Sequence, residues 1–271
     1  MTSFQKIIKY LAIVLAFTII ISIISAIFAG TTRLINIFAS NKNNNSKELS
    51  IIETSPSAPT SLDIELNNTK LIIKNGNKLQ IKTNNDKIKY KESNNHLSIT
   101  EKDSVLFFND KEYELIITIP SSSSFSDVEI ESGAGEIIIE EILTHNLSMD
   151  LGAGKVDINK LNVLNKAEID GGTGKINIKS GTLNNLELDM GIGELTVNSI
   201  LKGNSKIEAG VGNITLNVDE TSDNYTIKLN KGIGSVKIDG KDIAADATFG
   251  TGTNNLKIDG GIGNIYVNFN S

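Results

Sequence analysis

The chain has no cysteine and no tryptophan, and its 271 residues include only three prolines and two histidines. Without cysteine there is no disulfide framework and no thiolate metal site. The two histidines, His96 and His145, lie far apart in sequence and belong to no metal-ligand or triad pattern, so each is expected at the surface or in a turn. Positive charge is not in excess either. Lysine and arginine total 26 against 32 acidic residues, a net charge of −6 with no basic patch. That balance argues against nucleic acid as a partner. No nucleophile elbow, zinc-binding helix or phosphate loop is present. No catalytic residues, cofactor or enzymatic activity are therefore expected.

What is present is a repeat, from Val128 to Phe269. It reads apolar-x-apolar, a polar residue, Gly-x-Gly, then apolar-x-apolar. Leu147 to Ile158 is the clearest copy, with Gly152 and Gly154 at its centre. The other pairs are Gly133/Gly135, Gly172/Gly174, Gly191/Gly193, Gly210/Gly212, Gly232/Gly234 and Gly261/Gly263. Successive first glycines are 19, 20, 19, 19, 22 and 29 residues apart. A period near twenty marks a stacked-repeat architecture.

Apolar residues alternate on both sides of each glycine pair, which is the pattern of a strand with one buried face. The alternation slips by one residue at the second glycine: Leu151 and Val156 are apolar while Lys155 is not. Such a slip needs a bend or bulge, and glycine supplies it through positive φ. One unit of about twenty residues cannot bury its own apolar face, whereas a stack of units can. The chain is therefore expected to be all-β, a β-solenoid of two-strand rungs. Aligned on the glycines, three columns are aliphatic throughout, beginning at Ile130, Ile137 and Ile139. The residue between the glycines runs Ala134, Ala153, Thr173, Ile192, Val211, Ile233, Ile262, and is expected to fill the corner better towards the C-terminus.

The glycine pairs fit neither of two known motifs. No third glycine completes a dinucleotide fingerprint. The calcium β-roll has a shorter period and an Asp where Val156 and Ile176 stand.

Residues 1–33 read as a cytoplasmic tip and one transmembrane helix. Tyr10 to Thr32 carries no charge and is long enough to span a bilayer. Lys6 and Lys9 precede it, which places the N-terminus in the cytoplasm and the rest outside a cell membrane. The alternative is a cleaved signal peptide cut near Ala29-Gly30, with a secreted product, although the apolar run is long for one. Residues 34–60 read as a flexible linker, with an Asn-rich run and Pro56 and Pro59. Residues 61–271 form the β-repeat domain, of which 61–120 are irregular N-terminal rungs and a cap, and 121–271 the regular repeats.

One outward column is acidic in six of its seven members: Glu131, Asp150, Asp170, Asp189, Glu208, Asn230, Asp259. Like charges one rung apart, ~4.8 Å, repel. The simplest offset is local, with each carboxylate accepting backbone N–H bonds from the glycine corner that follows. Lys206, Lys228 and Lys257 add counter-charge in the later repeats only. The sharper expectation is a calcium ladder of Glu131, Asp150, Asp170 and Asp189, since Ca²⁺ favours oxygen ligands.

These Gly-x-Gly-x-aliphatic-x-aliphatic repeats resemble the adhesin-type toast-rack family of β-strand repeats, a domain family of unknown function. The run Phe249 to Ile258 followed by Gly261-Ile262-Gly263-Asn264-Ile265 is similar to that family's last repeats, and Tyr113 to Pro120 to the strand before them. The nearly uniform doubled glycine departs from many family copies. The resemblance implies a cell-envelope protein with no catalytic residues. Its expected role is a structural or adhesive module, binding a cell-wall polymer, surface ligand or membrane protein. The alternative is a scaffold or sensor in an envelope-stress regulatory system.

Overall fold

A computed structural model of the chain describes residues 48–55, 59–102, 112–243 and 247–270. The expected transmembrane helix lies outside them. Among the described residues no helix is long and apolar enough to cross a membrane.

The repeats stack as rungs. Each strand runs parallel to its neighbour one rung away and in strict register: Leu188 faces Ile169 on one side and Ile207 on the other. The path Phe125–Ile178 carries the first three repeats, Leu186–Lys202 the fourth and Asn204–Val218 the fifth. Period-two alternation sets the facing. Met149, Ile158 and Ile169 are buried while Asp150, Asn159 and Asp170 are exposed. The inward column of Ile130, Met149, Ile169, Leu188, Ile207, Leu229 and Ile258 is at most 1% exposed throughout. Burial of each such side chain contributes roughly 1.5–3 kcal/mol, so these columns dominate the stability.

Each turn of the coil also has a third inward run, which the two-strand reading omits. Val163 faces Leu183, and Leu183 faces Leu201, all fully buried. This side carries only one or two inward residues per turn, and Thr144 is a polar member of it, so its periodicity is too short to detect. Asparagines tie the neighbouring bend together: Asn165 donates to Asn146 and Asn255 to Asn204 through side-chain amides, at 2.7 and 2.9 Å.

The order of rungs is not the order of the chain. The last repeat, Asn254–Ile262 with Ile265–Phe269, lies between the fifth and sixth repeats. The fifth repeat thus skips a slot, which explains the longer step of 22 residues to the sixth. The next step of 29 makes room for two short strands, Lys241–Asp242 and Ala247–Phe249, which lie antiparallel on the sixth repeat. The chain then returns to fill the empty slot. Tyr225 plugs this end. It is fully buried, its hydroxyl donates to Glu220 at 3.0 Å, and burial pushes its phenol pKa far up.

The N-terminal end uses the same device in reverse. Ser61–Leu66 and Lys70–Gly76 form a rung between the first repeat and the rung of His96–Glu101 and Glu114–Pro120. Antiparallel strands Leu79–Thr83 and Ile88–Ser93 cover the outside. Antiparallel covers at both ends shield what would otherwise be open sheet edges. One boundary differs from the sequence reading. Within the expected linker 34–60, Ser50–Ser55 forms an outer strand on Leu79–Thr83, with Ser50 Oγ donating to the Thr83 carbonyl at 3.2 Å. Its Ile51-Ile52 pair follows a polar tract and is too short to show a period.

Candidate functional site on the outer faces

The glycine corner divides the outer surface into two faces. Every second glycine has φ between +144° and +149°. The backbone turns there, which is the phase slip seen in the sequence. A Cβ on Gly154 would lie 1.9 Å from the Gly135 carbonyl oxygen, and one on Gly212 1.6 Å from that of Gly193. Glycine is thus required twice, by φ and by the close approach of the next rung. The rung of Ser61–Leu66 and Lys70–Gly76 lacks the pair and turns through Asn67-Asn68-Thr69. There the buried Glu101 carboxylate accepts from the Asn67 and Asn68 backbone N–H groups and from the Asn85 amide, at 2.9, 3.2 and 2.9 Å. Three donors compensate the burial of its charge.

The residue between the glycines does not fill the corner. It points outward, with Ile233 60% and Ile262 40% exposed. The inward alternation already ends at the residue before the first glycine, so the phase is lost within the glycine pair and not after it. Leu151 and Met190 occupy that last inward position, and Met190 packs over Gly171. The outward residues register as Thr173–Ile192–Val211–Ile262–Ile233, an aliphatic ridge that follows spatial rather than chain order.

The acidic column forms a ladder on the face before the glycines. Glu131 faces Glu65, Asp170 faces Asp189, and Asp189 faces Glu208. All four calcium candidates, Glu131, Asp150, Asp170 and Asp189, lie on it. A straight ladder offers two carboxylates per interval, whereas Ca²⁺ takes six to eight oxygens. Among the described residues, no group of three or more His, Asp or Glu side chains is placed to hold a metal ion. Nor do Asp150 and Asp170 accept backbone N–H bonds from the corner, as the capping explanation requires. The strand stays extended into the first glycine, so an outward carboxylate points away from the corner amides.

Electrostatics confirm an unrelieved ladder at its N-terminal end. Burial, then neighbouring carboxylates, raises the pKa of Glu131 and of Asp170. Asp189 is raised by burial and by a hydrogen bond shared with Glu208. Further along, lysines do offset it: Lys206 bridges Glu208 at 2.9 Å and Lys257 bridges Asp259 at 2.5 Å. Lys166 also joins Glu168 and Glu187, at 2.8 and 3.3 Å, across two rungs.

Raised carboxyl pKa values destabilise the fold above those values, and the penalty fades as pH falls through them. Asp170→Asn is therefore expected to raise the melting temperature at neutral pH, more in low salt than in high salt. The gain should vanish in acid, where Asp170 takes up its proton. Thermal melts over a pH series check this, and a loss of stability at neutral pH would show that the carboxylate makes a favourable contact.

His96 has neighbours that the sequence did not reveal. Its Nδ1 lies 3.1 Å from Ser61 Oγ, and its Nε2 lies 3.9 Å from Asp63 Oδ2. Ser, His and Asp thus meet on adjacent strands through the register Ser61↔His96. The Asp contact is too long for a hydrogen bond, and His96 and Asp63 are 46% and 37% exposed on a flat sheet. The trio lacks the oriented, enclosed geometry of a nucleophilic site. His145 Nδ1 lies 3.3 Å from the Phe125 carbonyl, in a surface run.

The sequence profile of Toastrack DUF4097 matches residues 42–259. The chain belongs to that family. Solved structures similar to this Toastrack chain include a candidate cell adhesion protein from Clostridium sporogenes ATCC 15579, 20% identical, with a TM-score of 0.37. A candidate adhesin from Bacteroides fragilis NCTC 9343 is 18% identical, with a TM-score of 0.38. Each alignment covers 82% of this chain and 98% of the other. No curated protein matches the sequence.

Proposed function

We propose that this chain is a membrane-anchored, extracellular β-repeat protein that serves as a non-catalytic structural or adhesive module of the cell envelope. The observation that carries the reading is the register of the stack. It aligns every outward position into a straight column, so the molecule presents long faces of repeated chemistry rather than a single enclosed site. Such faces suit an extended or repetitive partner, a cell-wall polymer or surface ligand. The charge-free stretch from Tyr10 to Thr32, preceded by Lys6 and Lys9, supports anchoring with the repeats outside. Calcium enters only as a bridge between carboxylates on neighbouring rungs, such as Asp150 and Asp170, and a melting temperature indifferent to added Ca²⁺ removes it.

Protease added to intact cells stripped of their wall tests the placement. Degradation of the repeats, with the N-terminal stretch kept in the membrane fraction, is the expected result. Repeats protected in intact cells and cut only after lysis would contradict it. A changed transcriptional response on deletion, with a membrane protein recovered alongside the repeats, would favour the scaffold or sensor reading instead.

A further inference from the structure

The face after the glycines differs in chemistry from the acidic face. Two of its outward columns, in the fourth, fifth and seventh repeats, are Thr196/Asn198, Thr215/Asn217 and Tyr266/Asn268; the column beside the corner holds Glu194, Asn213 and Asn264. These rungs are consecutive in space, since Thr196 faces Thr215 and Thr215 faces Tyr266. Six adjacent side chains therefore carry no charge, on a chain whose net charge is −6. The three amides form their own ladder: Asn268 donates to Asn217 at 2.8 Å, and Asn217 to Asn198. Asn268 and Asn217 each keep one N–H that the ladder does not use, and Asn198, which only accepts, keeps two. The hydroxyls of Thr196, Thr215 and Tyr266 have no hydrogen-bond partner among the described residues.

We propose that this Thr/Asn face binds a neutral polysaccharide laid along the stack axis, which makes it the adhesive surface of the function proposed above. An ionic polymer gains nothing from six uncharged groups. A protein partner needs buried apolar anchors, and this face has only the partly exposed Tyr266. A neutral glycan is rich in hydroxyls that donate and accept, as these amides and hydroxyls do. The rungs recur every ~4.8 Å along the stack, and an extended β-linked chain repeats its sugars on a comparable length scale. One sugar can thus meet one Thr/Asn pair on each rung, while the Tyr266 ring offers an apolar platform beside the last.

The test is cosedimentation of the full-length protein, in detergent, with amorphous cellulose and with chitin. Saturable binding to at least one, unchanged in high salt, is expected. Thr196→Val with Thr215→Val keeps β-branched shape and removes both hydroxyls. That variant should melt as the parent does and bind about tenfold or more weakly. Asp150→Asn with Asp170→Asn, on the other face, should bind normally. No saturable binding to either polymer, or equal binding by the Thr→Val variant, overturns the proposal. The broader adhesive reading would survive that result if the protein still bound whole cell-wall preparations, and would fall with it if it did not.

Discussion

Gly212→Ala should abolish folding of the repeat stack. The new Cβ would lie 1.6 Å from the Gly193 carbonyl oxygen, and on the other side Gly263 stacks so tightly on Gly212 that a Cβ there would meet the Gly212 carbonyl oxygen at the same distance. The atom the new Cβ meets belongs to the backbone, so no side chain can rotate away. The φ of +144° adds a conformation that alanine disfavours. Relief requires the fifth rung to separate from its neighbours, with loss of register along both faces. The expected cost exceeds about 4 kcal/mol, the exceptional range for a single substitution. Gly240→Ala is the matched comparison: φ is +74°, but nothing lies within 4 Å of the added Cβ. It should cost only about 1–2 kcal/mol, from the backbone conformation alone. Circular dichroism melts distinguish the two. Similar melting temperatures for both variants would mean that the corner tolerates a methyl group and that stacking is looser than described.

Ile176→Asp should be nearly as damaging, and Lys175→Asp mild. Ile176 is 3% exposed, and its ring of neighbours includes Leu195 directly across the register. An aspartate there loses the aliphatic contacts and buries a carboxylate without a donor, at several kcal/mol. Lys175, one residue earlier, faces solvent with its side chain 44% exposed and bridges Glu194 at 2.9 Å. Its replacement forfeits an exposed ion pair worth less than about 1 kcal/mol and sets two acids side by side. Equal destabilisation by both variants would contradict the inward and outward facing of the whole column.

The inward columns were legible because the apolar residues keep phase over seven copies and the chain offers no other way to bury them. The glycine turn was legible for the same reason, as the slip between Leu151 and Val156 needs positive φ. The corner filling was misplaced by two residues, from Leu151 to Ala153 in the clearest copy. Ile233 and Ile262 look like core residues by type, but the inward phase is lost at the first glycine, before them, so they remain outside. The third inward run went unread because Leu183 stands as a single apolar residue between polar ones and Leu201 directly follows the outward Ile200, so neither shows a period. The ladder of Asp150 and Asp170 was legible as a column, but not its lack of backbone donors, which depends on the strand staying extended to the glycine. His96 and Ser61 are 35 residues apart and meet only through rung pairing. Rung order was the least accessible feature. Steps of 22 and 29 residues signal an irregularity, yet every repeat fits the slot beside every other, because all present the same glycine corner.

That order can be tested directly because the chain has no cysteine of its own. Lys206 and Lys257 face each other across the fifth and seventh repeats, and Lys257 in turn faces Lys228 of the sixth. Lys206→Cys paired with Lys257→Cys should crosslink rapidly under mild oxidation or with a short bifunctional thiol reagent, since facing strands are ~4.8 Å apart. Lys206→Cys paired with Lys228→Cys should crosslink poorly, because a whole rung stands between them. Efficient coupling of Lys206→Cys to Lys228→Cys, with none to Lys257→Cys, would mean that the repeats stack in chain order and that the returning rung does not exist.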